Sequence, residues 1–188
     1  MTQNCRTALL ALLLLACTSD IAARETVPVL PAAGTVEAYF TPWDDAQAAL
    51  VAAIEQARQQ VLVQAFVLSS RTIAASLIQA YRRGVDVRVL ADQRQHTDVE
   101  GSQLVRLAQA GIPVWLETRY RSAHNKIMLI DVRTLQPVII TGSYNYSWGA
   151  QHMNAENLLL IRGDAALASR FESNWLRHQS EATLLQTP

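Results

Sequence analysis

A chain of 188 residues, half of them apolar, has the length and hydrophobic content of one domain with a sizeable core. Its formal charge of zero excludes a protein that gathers nucleic acid by bulk positive charge, so any polyanion must be met by local charge. The only cysteines, Cys5 and Cys17, fall near the start, which excludes a disulfide-stapled scaffold for the remainder.

The first residues read as a leader. Arg6 precedes an apolar run over 8–16, too short to span a membrane and suited to a signal sequence. Ile21-Ala22-Ala23 before Arg24 offers a signal-peptidase site, which predicts removal of residues 1–23 and export to the periplasm or medium. Leu14-Leu15-Ala16-Cys17 resembles a bacterial lipobox, the alternative in which Cys17 carries a lipid anchor. Residues 24–34, with Pro28, Pro31 and Gly34, read as a linker to a single catalytic domain over 35–188.

Within that domain, 35–40 reads as a strand. Pro42 and Asp44 open a helix through 58, with Ala46, Ala49, Leu50, Ala53, Ile54 and Ala57 at helical spacing. The nearly continuous apolar run 61–68 predicts a strand buried on both faces. Ser69 or Ser70 caps a second helix that Arg83-Gly84 ends, and 85–91 is another buried strand. A polar loop over 92–98 leads to a helix over 99–110, stopped by Gly111, and a strand over 112–116. An arginine-bearing loop over 117–123 enters a strand over 124–131, which pairs as a hairpin with 136–141. A last strand over 156–161 and an amphipathic helix over 164–179, with Ala168, Phe171, Trp175 and Leu176 along one stripe, complete the chain. This order predicts an α/β fold: a mixed β-sheet flanked by helices on both faces.

The chemistry concentrates in His124-Asn125-Lys126-Ile127-Met128-Leu129-Ile130-Asp131. Lys126 is the only lysine in the chain, and alternation along a strand sends it to the same side as His124. A phosphodiester anion resists anionic attack, whereas a neutral imidazole avoids that repulsion and can form a covalent intermediate. A cation held beside the phosphoryl oxygens stabilises the charge they gain in the transition state. Ser143 and Asn145 offer further donors, and Glu156 could accept from one imidazole nitrogen to fix the tautomer.

The pattern H-x-K-x4-D, followed by Gly142-Ser143-Tyr144-Asn145 and by Glu156 with its apolar run, resembles the phospholipase D superfamily, above all its small secreted homodimeric endonucleases. The likeness runs from about residue 36 to the end. It implies a phospholipase D-like sandwich and assigns His124 as nucleophile, Lys126 and Asn145 as phosphate ligands, and Ser143 and Glu156 as supporting groups. It also implies a second histidine, which protonates the leaving alcohol and then activates water. Larger members carry two motifs and this chain carries one, so a homodimer with its active site at the interface is expected.

Asp131 closes the motif, but five residues of strand span about 17 Å, so it reads mainly as structural, holding the strand or the subunit interface. Arg94, Arg119 and Arg121, with Tyr120 between the last two, are candidates to track a polynucleotide backbone and stack on a base. His96 and His178 read as ordinary surface histidines, and His152 as an alternative acid in a monomer. No cysteine pair, H-x-x-x-H helix or carboxylate cluster accompanies the motif, so neither metal nor cofactor is expected. The expected function is an exported, metal-independent phosphodiesterase working through a phosphohistidine, read first as a nonspecific endonuclease acting on DNA or RNA. The alternatives are a phospholipase D or phosphatidyl transferase acting on phospholipid, and a catalytically silent module binding DNA or anionic lipid.

Overall fold

The computed structural model describes residues 27–186, so the leader, Cys5 and Cys17 lie outside the described residues. Eight strands form one mixed sheet. They are β1 (Thr35–Thr41), β2 (Gln60–Ala65), β3 (Asp86–Asp92), β4 (Val114–Glu117), β5 (Lys126–Ile130), β6 (Val138–Gly142), β7 (Glu156–Arg162) and β8 (Thr183–Leu184). Their order is β1-β7-β6-β5-β2-β3-β4-β8. β2, β3 and β4 run parallel, as the intervening helices require; every other pairing is antiparallel.

Side-chain alternation divides the core in two. On one face Val63, Val89, Met128, Ile140 and Leu160 pack beneath α1 (Ala46–Gln56), α2 (Arg71–Arg82) and α4 (Leu104–Gln109), through Leu50, Ile54, Leu77 and Leu107. On the other, Leu62, Leu90, Leu129 and Ile139 meet the long α6 (Ala165–Glu181) through Ala168 and Trp175. Trp175 is 1 % exposed and donates its indole N–H to the Val63 carbonyl at 3.0 Å, so its polar atom is satisfied inside the core. Helix starts follow their capping residues: Asp45, Ser70 and Asp164 each accept a backbone N–H from the first turn of α1, α2 and α6.

Four local expectations change. The helix expected over 99–110 begins only at Leu104, because Gly101 takes a left-handed φ of 75° that interrupts it. β2 ends at Ala65, since the chain beyond it turns to pair with a distant loop: Ser69 and Ser70 donate to the Tyr146 carbonyl, and Tyr146 donates to that of Val67. Two short helices, α3 (Arg94–Thr97) and α5 (Trp148–His152), occupy stretches expected to be loop. The edge strand β8 was not anticipated either; two residues carry too little pattern to register.

Register fixes the ends of the sheet. Lys126 pairs with Ala65, Asp92 with Glu117, Thr41 with Glu156 and Gly142 with Leu158, so these residues gather at one end. Asp131 lies at the opposite end of β5. Its carboxylate accepts the backbone N–H groups of Arg58, Gln59 and Gln60 at 2.7–3.0 Å, and its φ is 51°. The structural reading of Asp131 is therefore the one that fits, and its candidacy as a site residue is corrected.

Candidate active site

His124 stands on the exposed loop that enters β5, two residues before the first buried residue of the strand. Its ring lies against Phe66, centroids 4.2 Å apart. Lys126 opens β5 on the inward side and is 5 % exposed. Its ammonium reaches back to the loop: Nζ is 2.9 Å from His124 Nδ1 and donates to the His124 carbonyl at 2.8 Å, with the Phe66 ring 4.6 Å below. The expected meeting of these two side chains is present, and Phe66, for which the sequence offers no signal beyond an apolar run, forms its floor.

Burial pushes the Lys126 pKa down from 10.5 to about 8, and the Glu156 carboxylate works against that shift. At pH 7 the group is still an ammonium, which has donors and no acceptor. Nδ1 must then accept, so a neutral His124 carries its proton on Nε2.

The expectation that Glu156 would bond His124 is corrected. Glu156 accepts from Asn154 Nδ2 at 2.9 Å, and what it contributes to the pair is charge acting on Lys126. Its placement at the start of β7 comes from register with Thr41, whose hydroxyl also accepts the Glu156 N–H.

Ser143 and Asn145 lie on the loop that follows β6. Gly142 allows this loop to sit tight: a Cβ there would come within 2.3 Å of the Asn157 carbonyl oxygen. That carbonyl accepts the N–H groups of Ser143 and Tyr144, while Ser143 Oγ accepts from Asn157 N and Nδ2 at 3.0 and 3.3 Å, which leaves its hydroxyl hydrogen free to donate. Asn157 is a supporting residue that the sequence did not suggest. Asn145 Oδ1 is buried and accepts no hydrogen bond among the described residues, which leaves that acceptor unused.

The four substrate-binding candidates divide. Arg119 is held by Glu181 at 2.6 Å, and Tyr120 donates to the same carboxylate at 3.2 Å with its ring on His178. Both are fastened to the end of α6. Arg94 and Arg121 are exposed and form no ion pair among the described residues. His178 is not the solvated residue expected from the sequence: its Nδ1 meets the buried Glu117 carboxylate, which also accepts from Gln64 Nε2. His96 is exposed. His152 is exposed and stacks on Trp148 at 4.8 Å.

Among the described residues, no three His, Cys, Asp or Glu side chains gather to hold a metal ion, and no helix is long and apolar enough to cross a membrane. A cavity of about 870 Å³ between Pro28, Leu30 and the outer face of α6 is lined by none of the site residues.

Comparison with known proteins matches residues 50–178 to a family model described as "Cardiolipin synthase, PLD-like domain". The chain is 37 % identical over 145 residues to a phospholipase D of Rickettsia prowazekii, covering 77 % of this chain and 68 % of the relative. It is 31 % identical over 135 residues to the human mitochondrial cardiolipin hydrolase, covering 70 % of this chain and 52 % of the relative. Among solved structures it resembles Nuc of Salmonella typhimurium, a phospholipase D family member, with a TM-score of 0.76 and 24 % identity over 82 % of this chain and all of that one.

Proposed function

The chain belongs to the phospholipase D superfamily of phosphodiesterases, and from that membership we propose that it is an exported endonuclease that cleaves through a phosphohistidine on His124. The observation that carries the reading is the buried Lys126 ammonium 2.9 Å from an exposed imidazole. A cation with few water contacts stabilises phosphoryl charge far more than a solvated one.

In the proposed cycle His124 Nε2 attacks phosphorus, the P–O bond to the leaving alcohol breaks, and a second histidine protonates that oxygen. Water activated by the same second histidine then hydrolyses the P–N bond. Attack requires a lone pair on Nε2, yet Lys126 in the resting site favours the tautomer with the proton there. An arriving phosphate competes for the ammonium, releases Nδ1 to carry the proton, and so arms the nucleophile. The Ser143 hydroxyl supplies a further donor to the phosphate, Asn145 offers its Nδ2 from the same loop, and Glu156 keeps Lys126 charged. Of the four candidates, Arg94 and Arg121, unpaired among the described residues, are the ones left to follow the polynucleotide.

The second histidine is proposed to be His124 of a symmetric partner. Trp43, Trp148 and Met153, at 83, 63 and 71 % exposure, border the segments that carry Glu156 and Asn145. Apolar side chains this exposed call for cover, and a twofold partner docked at this end would cover them and bring a second His124 and Lys126.

The phospholipase reading draws on the same rim, turned toward lipid, and on the Rickettsia relatives named phospholipase D. Incubating the purified chain with plasmid DNA, RNA and labelled phosphatidylcholine vesicles, each with EDTA, separates the two. Nicked plasmid is expected; release of choline or phosphatidic acid with intact nucleic acid would reverse the choice. Export predicts a mature protein that begins near Arg24; a diacylglyceryl group on Cys17 found by mass spectrometry would replace it with the anchored form.

A further inference from the structure

The loop over 118–125 must deliver an exposed histidine to one spot, and one buried carboxylate reaches it. Asp92, the last residue of β3, is 2 % exposed. Its Oδ2 accepts the N–H of Ala123, the residue immediately before His124, at 2.6 Å; its Oδ1 accepts the N–H of Arg94 at 2.9 Å. Among the described residues no Lys, Arg or His forms an ion pair with it. A buried carboxylate without a cation is costly, and only strong hydrogen bonds to its oxygens offset that cost. Here both bonds go to backbone, one to the residue before His124 and one to the first residue of α3.

We infer that Asp92 is a positioning residue for His124: it fixes the peptide from which the imidazole is carried, so that the ring meets Lys126 and the incoming phosphorus. The chain of contacts is continuous. Asp92 holds the Ala123 N–H, the next residue is His124, the Asn125 carbonyl accepts the Phe66 N–H at 2.9 Å, and Lys126 pairs with Ala65. The segment is thus clamped by β3 in front of the histidine and by β2 behind it. Arg94, which forms no ion pair among the described residues, hangs by its backbone N–H from the same carboxylate. The inference rests on the reading of His124 as the attacking group.

The test is steady-state hydrolysis of bis(4-nitrophenyl) phosphate, a diester too small to need the arginines, by the full chain and three variants. Asp92→Asn leaves one acceptor and turns an NH₂ toward an N–H. Ala123→Pro removes the donor and leaves the carboxylate intact. Asp86→Asn, on the same strand but bonded to Arg88 and Gln60, is the control. A displaced nucleophile is expected to lower kcat by up to about 100-fold for the first two variants. KM should stay within about three-fold, because the Lys126 ammonium that holds the phosphate is carried by β5 and not by this loop. The His124 ring resonances should move in both, and the control should behave as wild type. Wild-type kcat in a folded Asp92→Asn, with His124→Ala inactive, overturns this inference and leaves the nucleophile standing. An active His124→Ala overturns the functional reading instead. Failure of both Asp92→Asn and Ala123→Pro to fold also overturns the inference, since Asp92 would then serve the fold and not the position of His124.

Discussion

At the scale of single residues, His124 and Lys126 make the sharpest predictions. His124→Ala removes the attacking group from an exposed loop, so the variant is expected to fold and to lose turnover. A folded variant that keeps near-wild-type turnover would falsify the assignment. Lys126→Ala should raise the barrier by about 2–4 kcal/mol, the range for removing one transition-state donor, read as a fall in kcat for a small diester. The Lys126 pKa of about 8 adds a pH dependence with opposite signs in two measurements. The kcat/KM should fall as pH rises through about 8, because the free enzyme loses its phosphate-binding charge. Stability should instead rise between about 8 and 10.5, because in that window the unfolded lysine still binds the proton that the folded one has released. Replacing Lys126 by Met should abolish both limbs; an alkaline limb that survives the change belongs to another group. The resting tautomer is open to ¹⁵N NMR: the His124 proton is expected on Nε2 in the free protein and on Nδ1 with inorganic phosphate bound.

At the scale of elements, two carboxylates hold pieces of the fold together without touching the site. Asp131 satisfies the N–H groups of Arg58, Gln59 and Gln60, where the turn after α1 enters β2. Asp131→Ala loses these charge-assisted bonds and places alanine at positive φ, so urea unfolding should show a loss of about 2 kcal/mol with kcat per folded molecule unchanged. A fall in kcat without a stability change would return Asp131 to the site. Glu117 does the same work from the end of β4, tying it to β2 through Gln64 and to α6 through His178. Because Arg119 and Tyr120 dock on the same end of α6, His178→Ala should loosen the loop over 118–123 as well as destabilise the fold. The expected loss is about 2 kcal/mol, as for taking one hydrogen-bond partner from a buried carboxylate, with proteolysis in that loop accelerated. Unchanged protection of the loop would confine His178 to holding α6.

At the scale of the whole molecule, the proposal is a twofold assembly that needs no metal. Dimers forced to pair one wild-type chain with one His124→Ala chain are expected to lose nearly all activity, whereas independent sites would keep about half by counting intact sites. A strictly monomeric and fully active protein in sedimentation at assay concentration would sink the shared site and return attention to His152. Hydrolysis is expected to be unaffected by EDTA, because in the proposed cycle Lys126 and the two histidines supply the charge and the proton transfers. Activity lost to EDTA and restored by magnesium or calcium would overturn that mechanism.

The sequence by itself determined the elements whose signal is local. Buried strands such as β2 and β3 announce themselves as apolar runs, α1 and α6 by helical spacing behind Asp45 and Asp164, and the His124–Lys126 pair by a spacing of two across the entry to a strand. It also gave the family, because three short patterns agree in order. Tertiary structure alone decided what depends on register between distant strands. Glu156 faces Lys126's field and bonds Asn154; Asp92 reaches forward 31 residues to Ala123; Glu117 finds His178 61 residues on. Such contacts leave no periodicity in the chain, since a hydrogen bond between remote residues needs only one donor and one acceptor brought together by the packing of everything between them. The same reason explains Arg119: beside the motif it reads as a substrate cation, and only the return of α6 across the sheet gives it Glu181.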